Sequence, residues 1–384
     1  MHPFHVKQYV KILENRQDIF KLDELVTVCK RDNNLKRDYL FVNPTQGKHL
    51  PVNPSKTLKL FNCLAEEVNK ITSEDEKVMV VGFAETATAI GRQIASRLPN
   101  CIYRTQTTRE NFYSEVLVNF EEEHSHATSQ RLYGNVGLLK DVDRIIFVED
   151  EITTGNTILN LVKKLIELSP NMKFTVASIL NWQDEESQKL FSEFGIETTY
   201  LVKGILKNLK SKVPAQCSKP RVINPVQKSN VQCTVVPSQE FDYLTERLGG
   251  KSKYWLNNDI LSAVRELRIE PNDRVLVIGT EEYMFTGLKI AEVIERKASS
   301  TYFQATTRSP IGICDADGYA IKSGYTLPSI YDTKRTTYLY NLEDYTRVVI
   351  VTDVIPNQEF LCSIQAIIAN KTPRCCIDLL QIGR

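Results

Sequence analysis

The segment Arg144–Thr157 (Arg-Ile-Ile-Phe-Val-Glu-Asp-Glu-Ile-Thr-Thr-Gly-Asn-Thr) constrains the fold more than any other stretch of the chain. Four consecutive apolar residues, Ile145 to Val148, read as a strand buried on both faces. They run into an acidic pair, Glu149 and Asp150. After Glu151 and Ile152 comes the hydroxyl-rich turn Thr153-Thr154-Gly155-Asn156-Thr157, and then apolar residues at helical spacing: Ile158, Leu159, Leu161, Val162, Leu165 and Ile166. A buried strand, a tight loop and a helix start form the basic unit of a parallel α/β sheet. Unpaired N–H groups at the helix start, threonine hydroxyls and a glycine that permits close approach make the loop an anion cradle. Carboxylates just upstream would repel an anion. They acquire a role if they grip the hydroxyls of a sugar that carries the phosphate.

This run resembles the phosphoribosyl-pyrophosphate (PRPP) motif of type I phosphoribosyltransferases: apolar residues, two acids, two variable positions, then Thr-Thr-Gly-x-Thr. The resemblance implies that Thr153, Thr154, Gly155, Asn156 and Thr157 hold the 5′-phosphate of PRPP. Glu149 and Asp150 would then hold the ribose 2′- and 3′-hydroxyls. It also implies a second loop for pyrophosphate after a core strand, and Val78–Val81 leads into Gly82-Phe83-Ala84-Glu85-Thr86-Ala87-Thr88. Glu85 is out of place beside pyrophosphate unless a metal or a cation neighbours it. A role with Mg²⁺ or substrate and a structural hydrogen bond stand as equal readings. Mg²⁺ is expected to accompany PRPP, with no direct protein ligand assigned.

The rest of the first half reads in order. Residues 4–30 are expected to be helical, 37–42 a strand, and Ser55 the cap of a helix with the stripe Leu58, Phe61, Leu64, Ala65, Val68 and Ile71. Gly47-Lys48-His49 is either a set of anion contacts or an exposed polar turn. Cys101–Arg104 begins a strand followed by Thr107-Thr108-Arg109. Arg109 is the preferred phosphate contact here, because its charge does not depend on pH. The polar segment 120–131, with His124, His126 and Arg131, has three readings: a flexible loop closing over PRPP, a His-x-His metal site, or an ordinary solvated loop. Phe174–Leu180 is the next core strand. Trp182 at its end either stacks on a base or packs in the core, where tryptophan is found more often.

From Lys203 to Ser238 there are seven Lys or Arg residues and no Asp or Glu. This texture suggests a solvated connector more than an acidic-partner or RNA contact. Beyond it the chain repeats itself. Arg274–Glu282 parallels Lys77–Glu85, Tyr302–Arg308 parallels Tyr103–Arg109, and Thr346–Asp353 parallels Asp143–Asp150. The second copy keeps one acid, lacks Thr-Thr-Gly and carries Pro356 where a phosphate cradle would want an N–H. Thr307-Arg308-Ser309-Pro310 in this copy resembles the TRSP domain, found C-terminal to a predicted phosphoribosyltransferase domain in bacterial tellurite-resistance and stress gene clusters. Asp315-Ala-Asp317-Gly318 is read as a turn, since its glycine comes too early for a calcium loop.

Together these features predict two α/β domains, each with a mainly parallel β-sheet flanked by helices, the second a degenerate echo of the first. The expected bounds are 1–205 for the PRPP-binding domain, 206–238 for the linker and 239–384 for the TRSP-like domain. The resemblance implies a Mg²⁺-dependent transferase between PRPP and an unknown base-like acceptor. Two alternatives remain: a non-catalytic PRPP or nucleotide sensor, and an enzyme releasing ribosyl phosphate from a nucleotide-like metabolite. The expected partners are these small molecules and a second copy of the chain. With 48 basic and 47 acidic residues, charge supplies no argument for nucleic acid or a membrane surface. Nine cysteines without Cys-x-x-Cys spacing suggest reduced thiols in a cytoplasm.

Overall fold

The computed structural model describes residues 6–32, 38–121, 129–207, 217–237, 245–250 and 256–383. In chain order the first half contains β1 (Val10–Asn15), α1 (Leu22–Leu25), β2 (Thr27–Lys30), β3 (Tyr39–Val42), α2 (Pro54–Asn69), β4 (Val78–Gly82), α3 (Thr88–Arg97), β5 (Cys101–Thr108), β6 (Val116–Glu121), β7 (Ser129–Tyr133), β8 (Arg144–Ile152), α4 (Asn156–Leu168), β9 (Lys173–Asn181), α5 (Glu185–Glu193) and β10 (Ile196–Leu206). Eight of these strands form one sheet in the order β1-β10-β9-β8-β4-β5-β7-β6. Its five central strands are parallel, and antiparallel strands close both edges. Every residue of β4 is buried, as a strand covered on both faces requires.

The second half contains β11 (Arg221–Val222), β12 (Gln232–Val236), α6 (Thr245–Leu248), α7 (Asn258–Glu266), β13 (Arg274–Gly279), α8 (Phe285–Ile294), β14 (Ser300–Ala305), β15 (Gly324–Pro328), β16 (Thr336–Tyr340), β17 (Arg347–Thr352), α9 (Gln358–Lys371) and β18 (Cys376–Ile382). A parallel sheet runs β12-β18-β17-β13-β14, in which β18-β17-β13-β14 reproduces the order β9-β8-β4-β5 of the first sheet, while the edge strand β12 enters from before the core and not after it. The echo extends to single hydrogen bonds. In the first half the Ala84 amide donates to Thr107 Oγ1 at 2.9 Å, and in the second the Glu281 amide donates to Thr306 Oγ1 at 3.0 Å. Helices α2 and α3 pack against α8, so one apolar cluster runs through both halves.

Three local expectations need correction. Residues 4–30 are not one helix: the described part holds β1, the short α1 and β2. Val10 and Ile12 alternate along β1, which pairs with β10, so pairing to a sheet edge outweighs a helix-like spacing. The cap of α2 is Asn53, whose side chain accepts from the Lys56 amide at 2.9 Å, with Pro54 in the first turn. Ser55 instead bonds Glu295 of the second half. Finally, parts of the basic segment expected to be a solvated connector are strands, β11 against β15 and β12 against β18.

Strand-to-helix crossings are tight in both copies. A Cβ on Gly91 of α3 would lie 2.8 Å from the Cα of Gly82, whereas one on Gly287 of α8 would lie 3.4 Å from the Cα of Gly279. Gly91→Ala should therefore cost about 1–3 kcal/mol through overpacking, and Gly287→Ala clearly less. Urea titrations of the two variants side by side check this, and equal losses would contradict the geometry.

Candidate functional site

Val78 and Val80 of β4 share a core with α3, while Met79 and Val81 share one with α4. The chain therefore leaves neighbouring strands β4 and β8 toward opposite faces, which opens a crevice at their carboxyl ends. Two loops meet there. Thr86 donates its hydroxyl to Asp150 Oδ1 at 2.8 Å, and Gln46 Nε2 holds the Thr86 carbonyl at 2.6 Å. Burial raises the Asp150 pKa above its ordinary 3.8, outweighing the hydrogen bonds from Thr86, from the Asp150 and Glu151 amides and from Gln46. Strand β8 continues through the acid pair, so Glu149 and Asp150 point to opposite faces of the strand end.

Beyond β8 the residues Thr153 to Thr157 wrap into the start of α4. A concavity of about 90 Å³ is lined by Glu149, Glu151 and residues 152–158. Gly155 caps the helix at φ +78°, and a Cβ there would come within 2.7 Å of Phe191 Cε1, so both backbone and space demand glycine. No side chain caps α4. Among the described residues the amides of Thr153, Thr154, Gly155 and Thr157 make no hydrogen bond, so they remain available to an anion.

The second loop, Gly82 to Thr88, is held from several sides. Phe83 donates its amide to Val148 O at 3.0 Å and buries its ring against Phe120 and Phe147, so its side chain serves the core and not a ligand. The Ala84–Glu85 peptide is cis. Among the described residues the Glu85 and Thr86 amides make no hydrogen bond. Glu85 has found its cation: its buried carboxylate pairs with Lys48 and accepts the Arg308 amide at 3.2 and 3.3 Å. Burial alone would raise the Glu85 pKa, but Lys48, Arg308 and Arg109 outweigh it and bring the value to about 2.

Lys48 is fully buried and also donates to the Glu281 and Thr306 carbonyls at 2.8 and 3.1 Å. The Gly47-Lys48-His49 loop is thus neither an exposed turn nor an anion site: its lysine bonds the second half of the chain. Arg109 follows β5, and its amide donates to Glu282 at 3.4 Å. Arg131 belongs to β7, paired with Thr108 and Asn119, and not to a flexible loop. His124 and His126 lie outside the described residues. Trp182 is buried, 5.7 Å from Phe41 between ring centroids, and close against Gly204, so it packs the core and stacks on no ligand.

The residues that sequence reasoning missed are those of the interface between the halves. Arg308 Nε lies 2.6 Å from Glu281, and its Nη2 lies 2.6 Å from Glu110 and 3.5 Å from Glu282. Arg335 bridges Glu110 and Glu281 at 2.6 and 3.0 Å. Arg247 reaches Asp353 at 2.9 Å and Glu282 at 3.3 Å with no exposure to solvent. The only signal was the repeat itself, which aligns Arg308 with Arg109 and Glu282 with Glu85. Among the described residues no cluster of three His, Cys, Asp or Glu residues could hold a metal, and no helix is long and apolar enough to cross a membrane.

A parallel sheet with open amide loops beside an acidic strand end marks the chain as an α/β protein with its candidate site at the carboxyl ends of the strands. Residues 25–205 match the Phosphoribosyl transferase family, and residues 245–369 match the TRSP domain that lies C-terminal to it. The chain thus carries a Phosphoribosyl transferase domain followed by a TRSP domain. It is similar to adenine phosphoribosyl transferase from Trypanosoma brucei, solved with AMP, pyrophosphate and ribose-5-phosphate (15% identity, 50% of this chain, 79% of that one, TM-score 0.35). It is also similar to the adenine phosphoribosyltransferases of Leishmania tarentolae (15%, 53% and 96%, 0.34) and Rhodothermus marinus (16%, 47% and 95%, 0.33). Scores this low do not bear on substrate. No protein of curated function matches the chain.

Removing the Glu85 charge would leave Lys48 buried without its carboxylate. Glu85→Gln should cost about 3–5 kcal/mol at neutral pH. Because the folded pKa of about 2 lies below the ordinary 4.5, the stabilisation is complete above about 4.5 and disappears as pH falls toward 2. Urea titrations from pH 7 to pH 3 should show wild type and variant converging in acid.

Proposed function

We propose that the first half is a phosphoribosyltransferase that transfers ribose 5-phosphate between PRPP and a base-like acceptor and displaces pyrophosphate. The observation that carries this reading is the Thr86–Asp150 hydrogen bond of 2.8 Å, which ties the two open-amide loops together across one acidic strand end. That arrangement suits a sugar flanked by two phosphate groups: one at the start of α4, one on the Gly82–Thr88 loop, and the ribose between them. In this reading the amides and hydroxyls of Thr153 to Thr157 hold the 5′-phosphate. Glu149 and Asp150 accept the ribose 2′- and 3′-hydroxyls, and the Glu85 and Thr86 amides face pyrophosphate. Arg109, which contributes to the lowered Glu85 pKa, would face the departing charge in this reading.

The carboxylates of Glu149 and Asp150 are hard oxygen donors, and Mg²⁺ bound by one or two carboxylates takes its other ligands from substrate oxygens and water. In this reading one of these carboxylates, with substrate oxygens and water, would hold the ion, which would neutralise the charge that develops on pyrophosphate. As the bond at C1 of the ribose breaks, positive charge develops on the sugar. The chain's own contribution is to orient the two phosphates and the ribose in a fixed frame that costs no reorganisation at the moment of reaction. Of the segment 120–131, residues 120–121 end β6 and residues 129–131 begin β7, so the proposed loop covering PRPP is confined to the residues between them.

Release of pyrophosphate from PRPP and Mg²⁺ with pooled cell metabolites as acceptors tests the proposal. Saturable PRPP binding without turnover would overturn the enzyme reading in favour of a sensor. Asp150→Asn should lower PRPP use by roughly two orders of magnitude, while Asp353→Asn, normalised to folded protein, should leave PRPP binding near wild type. Since the Asp150 pKa is raised from 3.8, PRPP affinity should weaken in acid before an ordinary aspartate would protonate. Calorimetric titrations across pH should show this acid limb in wild type and not in Asp150→Asn.

A further inference from the structure

The strand registers define which residues of the two halves correspond. In the first half Gly82 pairs with Gln106 and with Val148, and in the second Gly279 pairs with Ala305 and with Val351. Counting on from those pairs, Glu85 corresponds to Glu282, Arg109 to Arg308, and Asp150 to Asp353. The interface between the halves uses these residues reciprocally. The Arg308 amide donates to Glu85 at 3.2 Å, and the Arg109 amide donates to Glu282 at 3.4 Å. A residue i of one half meeting j of the other, while j meets i, is the signature of a two-fold interface. The TRSP half thus stands where the second subunit of a symmetric pair would stand, joined to the first in one chain.

Arg308 also engages through its side chain. Arg308 projects its guanidinium into a buried cluster of Glu281, Glu282 and Glu110, with Nε 3.9 Å from Glu85. Its own turn is set by Thr307, whose Oγ1 accepts the Ser309 amide at 3.2 Å, just as Thr108 Oγ1 accepts the Glu110 amide at 3.0 Å in the first half. Without the guanidinium, four carboxylates would face one another beside the Gly82–Thr88 loop, with Lys48, Arg335 and Arg247 to offset them.

We propose that Arg308, the basic residue of the Thr-Arg-Ser-Pro motif, is a positioning residue for the pyrophosphate end of the first half's site, acting through Glu85. It neutralises the carboxylates behind the loop and anchors Glu85, so the Glu85 and Thr86 amides can face an anion. This assignment rests on the proposed PRPP reading. It gives the TRSP half a defined task, which is to complete from within the chain a site whose ligand-facing groups all lie in the other half.

The test uses the full chain and two probes in calorimetry, inorganic pyrophosphate with Mg²⁺ and ribose 5-phosphate. Arg308→Ala and Arg308→Gln should each weaken pyrophosphate binding roughly tenfold or more, as loss of a nearby unit charge implies. Ribose 5-phosphate should bind them as it binds wild type, and Arg308→Lys should restore most of the pyrophosphate affinity. A purely structural role would lower the folded fraction and affect both probes alike, and that outcome overturns the proposal. So does unchanged pyrophosphate binding in folded Arg308→Gln. If wild type binds neither probe, the PRPP reading itself has failed, a result separable from failure at Arg308.

Discussion

The Glu85 carboxylate, enclosed by Lys48 and Arg308, is the interaction on which the rest of the molecule depends. Around it lie Glu110, Glu281, Glu282 and Asp353, answered by Arg247 and Arg335. Buried charges lose hydration and regain it only from partners in good geometry, so removing one member strands several others. Because the acids and bases come from both halves, the network ties the relative placement of the halves to the conformation of the Gly82–Thr88 loop. Interdomain docking and site geometry are in that sense one constraint.

The two copies use the same scaffold with opposite outcomes at their strand ends. In the first, α4 starts at a glycine with no side-chain cap, and its early amides are open. In the second, Asn357 caps α9, accepting the Phe360 amide at 2.7 Å. The first copy's Asp150 has a threonine hydroxyl for a partner, whereas Asp353 accepts the Tyr331 hydroxyl at 2.6 Å and the Arg247 guanidinium at 2.9 Å. Where the first half leaves its amides open, the second fills the corresponding place with its own side chains. A retained fold with its polar groups internally satisfied is what a scaffold needs, and open amides beside an acidic strand end are what a binding site needs.

Much of this was legible in the residues themselves. The strands at Val78, Arg144 and Arg274, the helix at Thr88 and the three-part repeat follow from apolar runs and punctuating glycines, which act locally. The N-terminal segment was misread because Val10 and Ile12 take strand geometry only from their pairing with β10. Trp182 was ambiguous because its fate depends on Phe41, distant in sequence.

The sequence by itself determined the α/β units, their duplication and the difference between an intact and a degraded Thr-Thr-Gly loop, since each rests on residues within a few positions of one another. Only the tertiary structure decided that Lys48 and Arg308 answer Glu85 and that Arg247 closes the second copy. The physical reason is that a charge's partner is set by distance in space. Lys48 and Arg308 lie on opposite sides of Glu85 in the chain, and only the packing of α2 and α3 on α8 brings them to the same carboxylate.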